Sequence, residues 1–140
     1  MSPKQQQQFK APSHIAQAGA APAAVISTAP LVGTWVNIDK ATNDIVRVVI
    51  AASGSGISVD VFGACSPTPC NWGTVAGTAY AATVSSVPGV AFSAQYALGF
   101  AKASVVGHLN GDRLLIESFT EFTDGSGRSN LYTSDTMAKA

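Results

Sequence analysis

From Leu31 onward the chain is a succession of short runs rich in Val, Ile, Thr and aromatic residues, each closed by a turn signal. That pattern limits the possible folds more than any other feature. The runs read as Val32–Ile38, Ile45–Ala52, Ile57–Gly63, Thr74–Thr83, Val90–Tyr96, Phe100–His108, Arg113–Phe122 and Arg128–Met137, eight strands spaced roughly 8–14 residues apart. Asp39-Lys40-Ala41-Thr42-Asn43-Asp44, Gly54-Ser55-Gly56 and Gly125-Ser126-Gly127 fall between runs, and Asn110-Gly111 between two alternating runs is the clearest hairpin signal. A turn centred on that pair requires positive φ at both residues. The connections are too short for parallel crossovers. No stretch holds a 3.6-residue period for long, so helices are expected to be minor. Sequential antiparallel strands joined in this way close into an eight-stranded up-and-down β-barrel, which removes both sheet edges. A two-sheet sandwich is the rival architecture.

Composition narrows the partners. The 140 residues suit one domain, and 46% hydrophobic against 11% charged residues can build a core rather than a disordered chain. Eight basic residues balance eight acidic ones, leaving no electrostatic footprint for nucleic acid or an anionic membrane surface. No apolar stretch approaches the ~20 residues of a membrane span. Residues 1–30 read as an Ala/Pro/Gln-rich extension, flexible or arm-like, ahead of a barrel domain at 31–140. Pro12, His14, Gln17 and Pro22 interrupt any apolar core of a secretory signal, so a soluble, cytoplasmic protein is favoured. Ala23-Ala24-Val25-Ile26-Ser27-Thr28, framed by Pro22 and Pro30, has the composition of a strand. It would pair with the chain's own sheet edge or with a neighbouring subunit, making residues 23–30 a route to a homo-oligomer.

Few residues suggest chemistry. Cys65 and Cys70 flank Ser66-Pro67-Thr68-Pro69, a turn short enough for a disulfide clip; in a reducing compartment they would be free thiols. Only His14 and His108 remain to complete a zinc set, without finger spacing, so no metal and no cofactor is expected. A Cys nucleophile assisted by His108 would need a tertiary contact. Trp72, read as part of the Ala64–Gly73 loop, is either packing or a lid over a barrel mouth. Glu117 and Glu121 share a strand face about 13 Å apart, beyond the roughly 5–9.5 Å of glycosidase pairs, and read as a solvated outer face.

Leu31-Val32-Gly33-Thr34-Trp35-Val36-Asn37 resembles the opening strand of avidin-like biotin binders and, more loosely, the Gly-x-Trp start of lipocalins. Ser134-Asp135-Thr136-Met137-Ala138-Lys139 is similar to the last avidin strand, with its Asp-Thr pair. Together these segments cover under a fifth of the chain. The resemblance implies a calycin-type barrel with a small ligand inside, Asn37 meeting a ureido carbonyl and Asp135 accepting from a ureido N–H. The chain departs from the avidin pattern in having Val61 and Gly63 where a Tyr and a Ser complete the site, and Trp72 as its one other Trp. Biotin itself is therefore not the expected ligand. The lipocalin likeness implies a structural Trp35, covered by a last-strand Arg, here Arg128.

Three functions compete. The leading one is a binding barrel for an apolar or amphipathic small molecule, with Asn37 and Asp135 as polar anchors and Trp72, Tyr80, Tyr96 and Tyr132 as possible walls. It requires Asn37 and Asp135 to point inwards. The second is a structural, self-assembling protein using the N-terminal arm. The third, an enzyme of the barrel cyclase or isomerase kind, would use a buried Asp135, Asp60 or His108 as acid or base, and nothing in the sequence selects such a pair.

Overall fold

In the computed structural model, which describes residues 25–140, eight antiparallel strands close into a barrel in simple sequence order. They are β1 (Gly33–Asn37), β2 (Ile45–Ser53), β3 (Gly56–Gly63), β4 (Cys70–Ala81), β5 (Gly89–Ala97), β6 (Ala101–Asn110), β7 (Arg113–Phe122) and β8 (Leu131–Lys139). Closure is made by β1 and β8, with Trp35 opposite Lys139, Val36 opposite Ala138 and Asn37 opposite Met137. No helix occurs among the described residues.

Alternation decides what fills the barrel. Val48 and Ile50 on β2, Val59 and Val61 on β3, Phe92 on β5, and Leu114 and Ile116 on β7 are all essentially inaccessible. Their neighbours at odd offsets lie on the outer wall. Small inward residues let the large ones reach the axis. A Cβ at Gly107 on β6 would lie 2.5 Å from Phe92 Cε1 and 2.9 Å from Ile116 Cδ1, so the glycine makes room for those two side chains.

Because the strands alternate in direction, the connections at 38–44, 64–69, 98–100 and 123–130 gather at one end. The turns at 54–55 and 111–112 and the loop at 82–88 gather at the other. The second end is sealed by the segment leading into β1. Ser27 N–H donates to Val87 O (2.7 Å) and Gly89 N–H donates to Ser27 O (2.8 Å), an isolated parallel bridge onto the start of β5. Ile26 packs against the core, Leu31 is 0% exposed, and the Trp35 indole N–H donates to Leu31 O at 2.9 Å. Packed contacts thus begin before Leu31, while residues 23 and 24 of the arm lie outside the described residues.

Several sequence expectations shift in detail. The β6–β7 turn is centred on Gly111-Asp112, one residue later than Asn110-Gly111, since Asn110 pairs with Arg113. Only Gly111 has positive φ (63°), which matches a type II′ turn with glycine at its first central position. The loop after β3 ends sooner than read, because Cys70 already pairs with Gly63, and Trp72 therefore sits on β4 rather than in a loop. The last strand begins at Leu131, not Arg128.

Candidate functional site

The open end of the barrel holds a cavity of about 640 Å³. Trp72 and Leu98 line it, together with Phe100 and Phe122 at the rim and Ser118 and Thr133 lower down. Local backbone chemistry aims Trp72 inwards. Asp60 pairs with Thr74 and Phe62 with Asn71, so Trp72 and Gly73 together oppose Val61, a bulge that turns the strand. Gly73 takes φ 102° to allow it. The Trp72 ring covers Gly63, where a Cβ would come within 2.9 Å of the indole nitrogen. It also meets Tyr96 edge to face at 5.7 Å.

Cys65 and Cys70 are disulfide-bonded, with Cα atoms 5.4 Å apart, and both line the cavity. The bond clips the loop against the foot of β4, two residues before Trp72. Across the mouth, Arg128 lies 4.0 Å from the centroid of Phe122 and 5.7 Å from that of Phe100, and pairs with Asp124 at 2.9 Å. Arg128 does not cover Trp35. Antiparallel β8 starts at the mouth and ends beside β1, so Lys139 takes that place, its Nζ 5.2 Å from the Trp35 ring.

Below the cavity lies a small polar layer in an otherwise apolar interior. Asn37, Ser118 and Asp135 are the buried polar residues among those described, at 4%, 3% and 9% exposure. Ser118 and Thr133 are hydrogen-bonded to each other through their hydroxyls. Asn37 Nδ2 donates to Asp135 Oδ1 and to Ile45 O, both at 2.9 Å, and its Oδ1 accepts from Asp39 N–H at 2.8 Å. Both of its N–H groups are thereby taken by the protein. Asn37 faces inwards as expected, but it acts as a clamp holding the β1–β2 connection and Asp135, not as a free anchor for a carbonyl.

Asp135 is different. Its Oδ1 accepts from Asn37 and, at 3.5 Å, faces the Thr42 hydroxyl, while Oδ2 is buried with no partner. Burial pushes its carboxyl above the usual range; the Asn37 hydrogen bond opposes this, and the nearby Asp44 carboxylate adds to it. Asp44 lines the cavity, and neither carboxylate has an ion-pair partner among the described residues.

The tyrosines separate. Tyr96 lies inside, its hydroxyl 2.8 Å from Val59 O and 3.0 Å from Gly73 O, and burial is the main cause of a pKa raised to about 12. It fixes the β4 bulge to β3 and β5. Tyr80 and Tyr132 do not wall the interior: they project from the outer face, 46% and 53% exposed, bonded to Ser93 and Glu117. Their alternation sets them on the outer side of β4 and β8. Glu117 and Glu121 are also outward, Glu121 lying 3.6 Å from Lys102. Asp60 and His108 occupy outward positions of β3 and β6, so of the three acid–base candidates Asp135 alone is inside. Among the described residues no group of three or more His, Cys, Asp or Glu side chains converges as metal ligands would. The residues that sequence reasoning missed are Leu98, Phe100 and Phe122, whose runs gave no sign of meeting, and Asp44, read as a turn former. No family model, curated protein or solved structure matches this chain.

Proposed function

We propose that this protein is a binding barrel that takes an apolar or amphipathic small molecule into its open end. The observation that carries the reading is the mouth cavity. Its volume of about 640 Å³ falls within the roughly 300–1,000 Å³ of small-molecule sites, and it combines aromatic and aliphatic walls with a few polar groups beneath. At the other end Leu31 and Trp35 fill the interior, at 0% and 2% exposure. Kinship with avidin-type and lipocalin-type barrels forms part of the proposal, supported by Gly33-Thr34-Trp35 on β1 and Asp135-Thr136 on β8. Biotin does not fit it: Asn37 has no N–H left for a ureido carbonyl, and Val61 and Gly63 supply no hydroxyl. Assembly through the arm is the weaker reading, because Ser27 already bonds to its own β5.

Titration with the neutral apolar dye N-phenyl-1-naphthylamine tests the reading. Saturable fluorescence enhancement with a dissociation constant on the order of micromolar is expected, weakened about tenfold by Trp72→Ala. No saturable enhancement by the folded protein would overturn it.

A further inference from the structure

Among the described residues, the hydroxyl side chains that line the cavity all come from the paired strands β7 and β8. The inward positions Ser118, Thr120 and Phe122 of β7 line it, as do Leu131 and Thr133 of β8. Pairing sets Ser118 opposite Thr133 and Thr120 opposite Leu131, so this wall runs from two hydroxyls deep in the cup to an aromatic rim. From Ser118 to Phe122 it extends about 13 Å along the strand, at ~3.3 Å per residue. Ser118 and Thr133 bond to each other, and neither hydroxyl bonds to another group among the described residues. Each hydroxyl holds one hydrogen and two lone pairs, and their mutual bond uses one of each, whichever is the donor. The pair thus keeps one O–H to give and lone pairs to share, and the half-buried Thr133 brings it to the cavity. Asp44 is the charged residue of the lining, and no Lys, Arg or His shares it.

Resting on the ligand-binding reading above, we propose that the ligand is an uncharged molecule with an oxygen head, an alcohol or a carbonyl compound, on an alkyl or aryl body. The head oxygen accepts the remaining O–H of the Ser118–Thr133 pair, and an alcohol returns its own hydrogen to one of the pair's lone pairs. The body lies along Leu131 towards Phe122 and against Trp72 and Leu98. A pure hydrocarbon would cover the pair and leave that O–H without an acceptor, at the cost of an unmade hydrogen bond. An ammonium head brings donors and no acceptor, so the same hydrogen stays unpaired. A carboxylate head can accept it, but no cation in the lining offsets its charge and Asp44 repels it.

The test is displacement of N-phenyl-1-naphthylamine, which carries no oxygen, from the full chain near neutral pH by three probes of equal chain length: 1-octanol, octanoate and n-octylamine. Octanol is expected to bind about tenfold more tightly than either charged probe. The double variant Ser118→Ala/Thr133→Val replaces both partners of the hydroxyl pair by apolar groups, a change that folding tolerates. It is expected to weaken octanol about tenfold and to leave the dye within about twofold of the parent. Thr133→Val alone, expected to weaken octanol about threefold, provides the readout should the double variant not fold, and Thr133→Ser is expected to retain the parent affinity. Octanol that fails to displace bound dye, that binds more weakly than a charged probe, or that is weakened no more than the dye by these substitutions overturns the oxygen-head assignment and leaves the binding barrel standing. Absence of saturable dye binding to the parent overturns the binding reading and this inference together.

Discussion

Asn37 and Asp135 come from opposite ends of the chain and meet because β1 and β8 close the barrel. Their roles divide by hydrogen-bond capacity. Asn37 has its side chain filled by Ile45 O, Asp135 Oδ1 and Asp39 N–H, whereas Asp135 keeps one bare oxygen. This has a consequence for stability. A carboxyl whose folded pKa is raised binds its proton more tightly when folded, so the stability linked to that proton is complete below the ordinary carboxyl range. It is lost as pH rises through the raised value. Asp44 is the titratable neighbour that contributes to the shift. Asp135→Asn is therefore expected to stabilise the protein near pH 7 by about 1 kcal/mol, since it removes a buried carboxylate near Asp44 while keeping an oxygen for Asn37. The advantage should vanish by about pH 4. Denaturant melts across that range read both quantities, and a variant less stable than the parent at neutral pH would contradict the account. A second single-residue effect belongs to Gly107. Gly107→Ala places a methyl group against Phe92 and Ile116 and is expected to cost about 1–3 kcal/mol in the same melts. The positions of Asn37 and Asp135 were legible from their motifs. The saturation of Asn37 was not, because it depends on two backbone groups whose placement follows from the course of the 38–44 connection.

At the scale of elements, the segment before β1 is a working part of the barrel. Leu31 reaches the interior with no exposure, Ile26 packs beside Gly89, and the Trp35 indole is tied to Leu31 O. Leu31→Ala is expected to destabilise the fold by about 3 kcal/mol in thermal or chemical unfolding, whereas Val25→Ala, at an exposed position, should have little effect. Equal effects of the two would contradict the plug. The strands themselves were readable to within a few residues, since alternation and β-branched runs are local signals. What failed to show was where pairing overrides local preference. Asn110-Gly111 has the side chains for a turn on that pair, yet the pairing of Asn110 with Arg113 moves the turn by one residue. Pro67 and Pro69 read as a loop continuing past Trp72, yet the disulfide and the Gly63–Cys70 pair start β4 earlier and create the bulge. That bulge is what brings Trp72 to the site, and a bulge leaves little trace in a single sequence beyond one glycine.

For the molecule as a whole, closure of the barrel followed from the number, spacing and short connections of the strands, which left no room for crossovers. The two ends differ more than their loop lengths suggested. One is filled by side chains from the leading segment, and the other is left as an apolar cup stiffened by the Cys65–Cys70 clip and by Arg128 stacked on Phe122. Which aromatics meet at that rim was not legible, because Phe100 lies in the β5–β6 connection and Phe122 ends β7, and the pairing of Ala101 with Phe122 brings the two together. On the function proposed above, this cup receives a small apolar or amphipathic molecule. The most direct measurement is an amide shift map of the isotopically labelled protein titrated with 1-octanol. The expected result is saturable change confined to the open end, at Gly63, Trp72, Leu98, Ser118 and Thr133, with Leu31, Leu109 and Ala138 at the sealed end unmoved. No saturable change at the open end, or change centred on the sealed end, would contradict it.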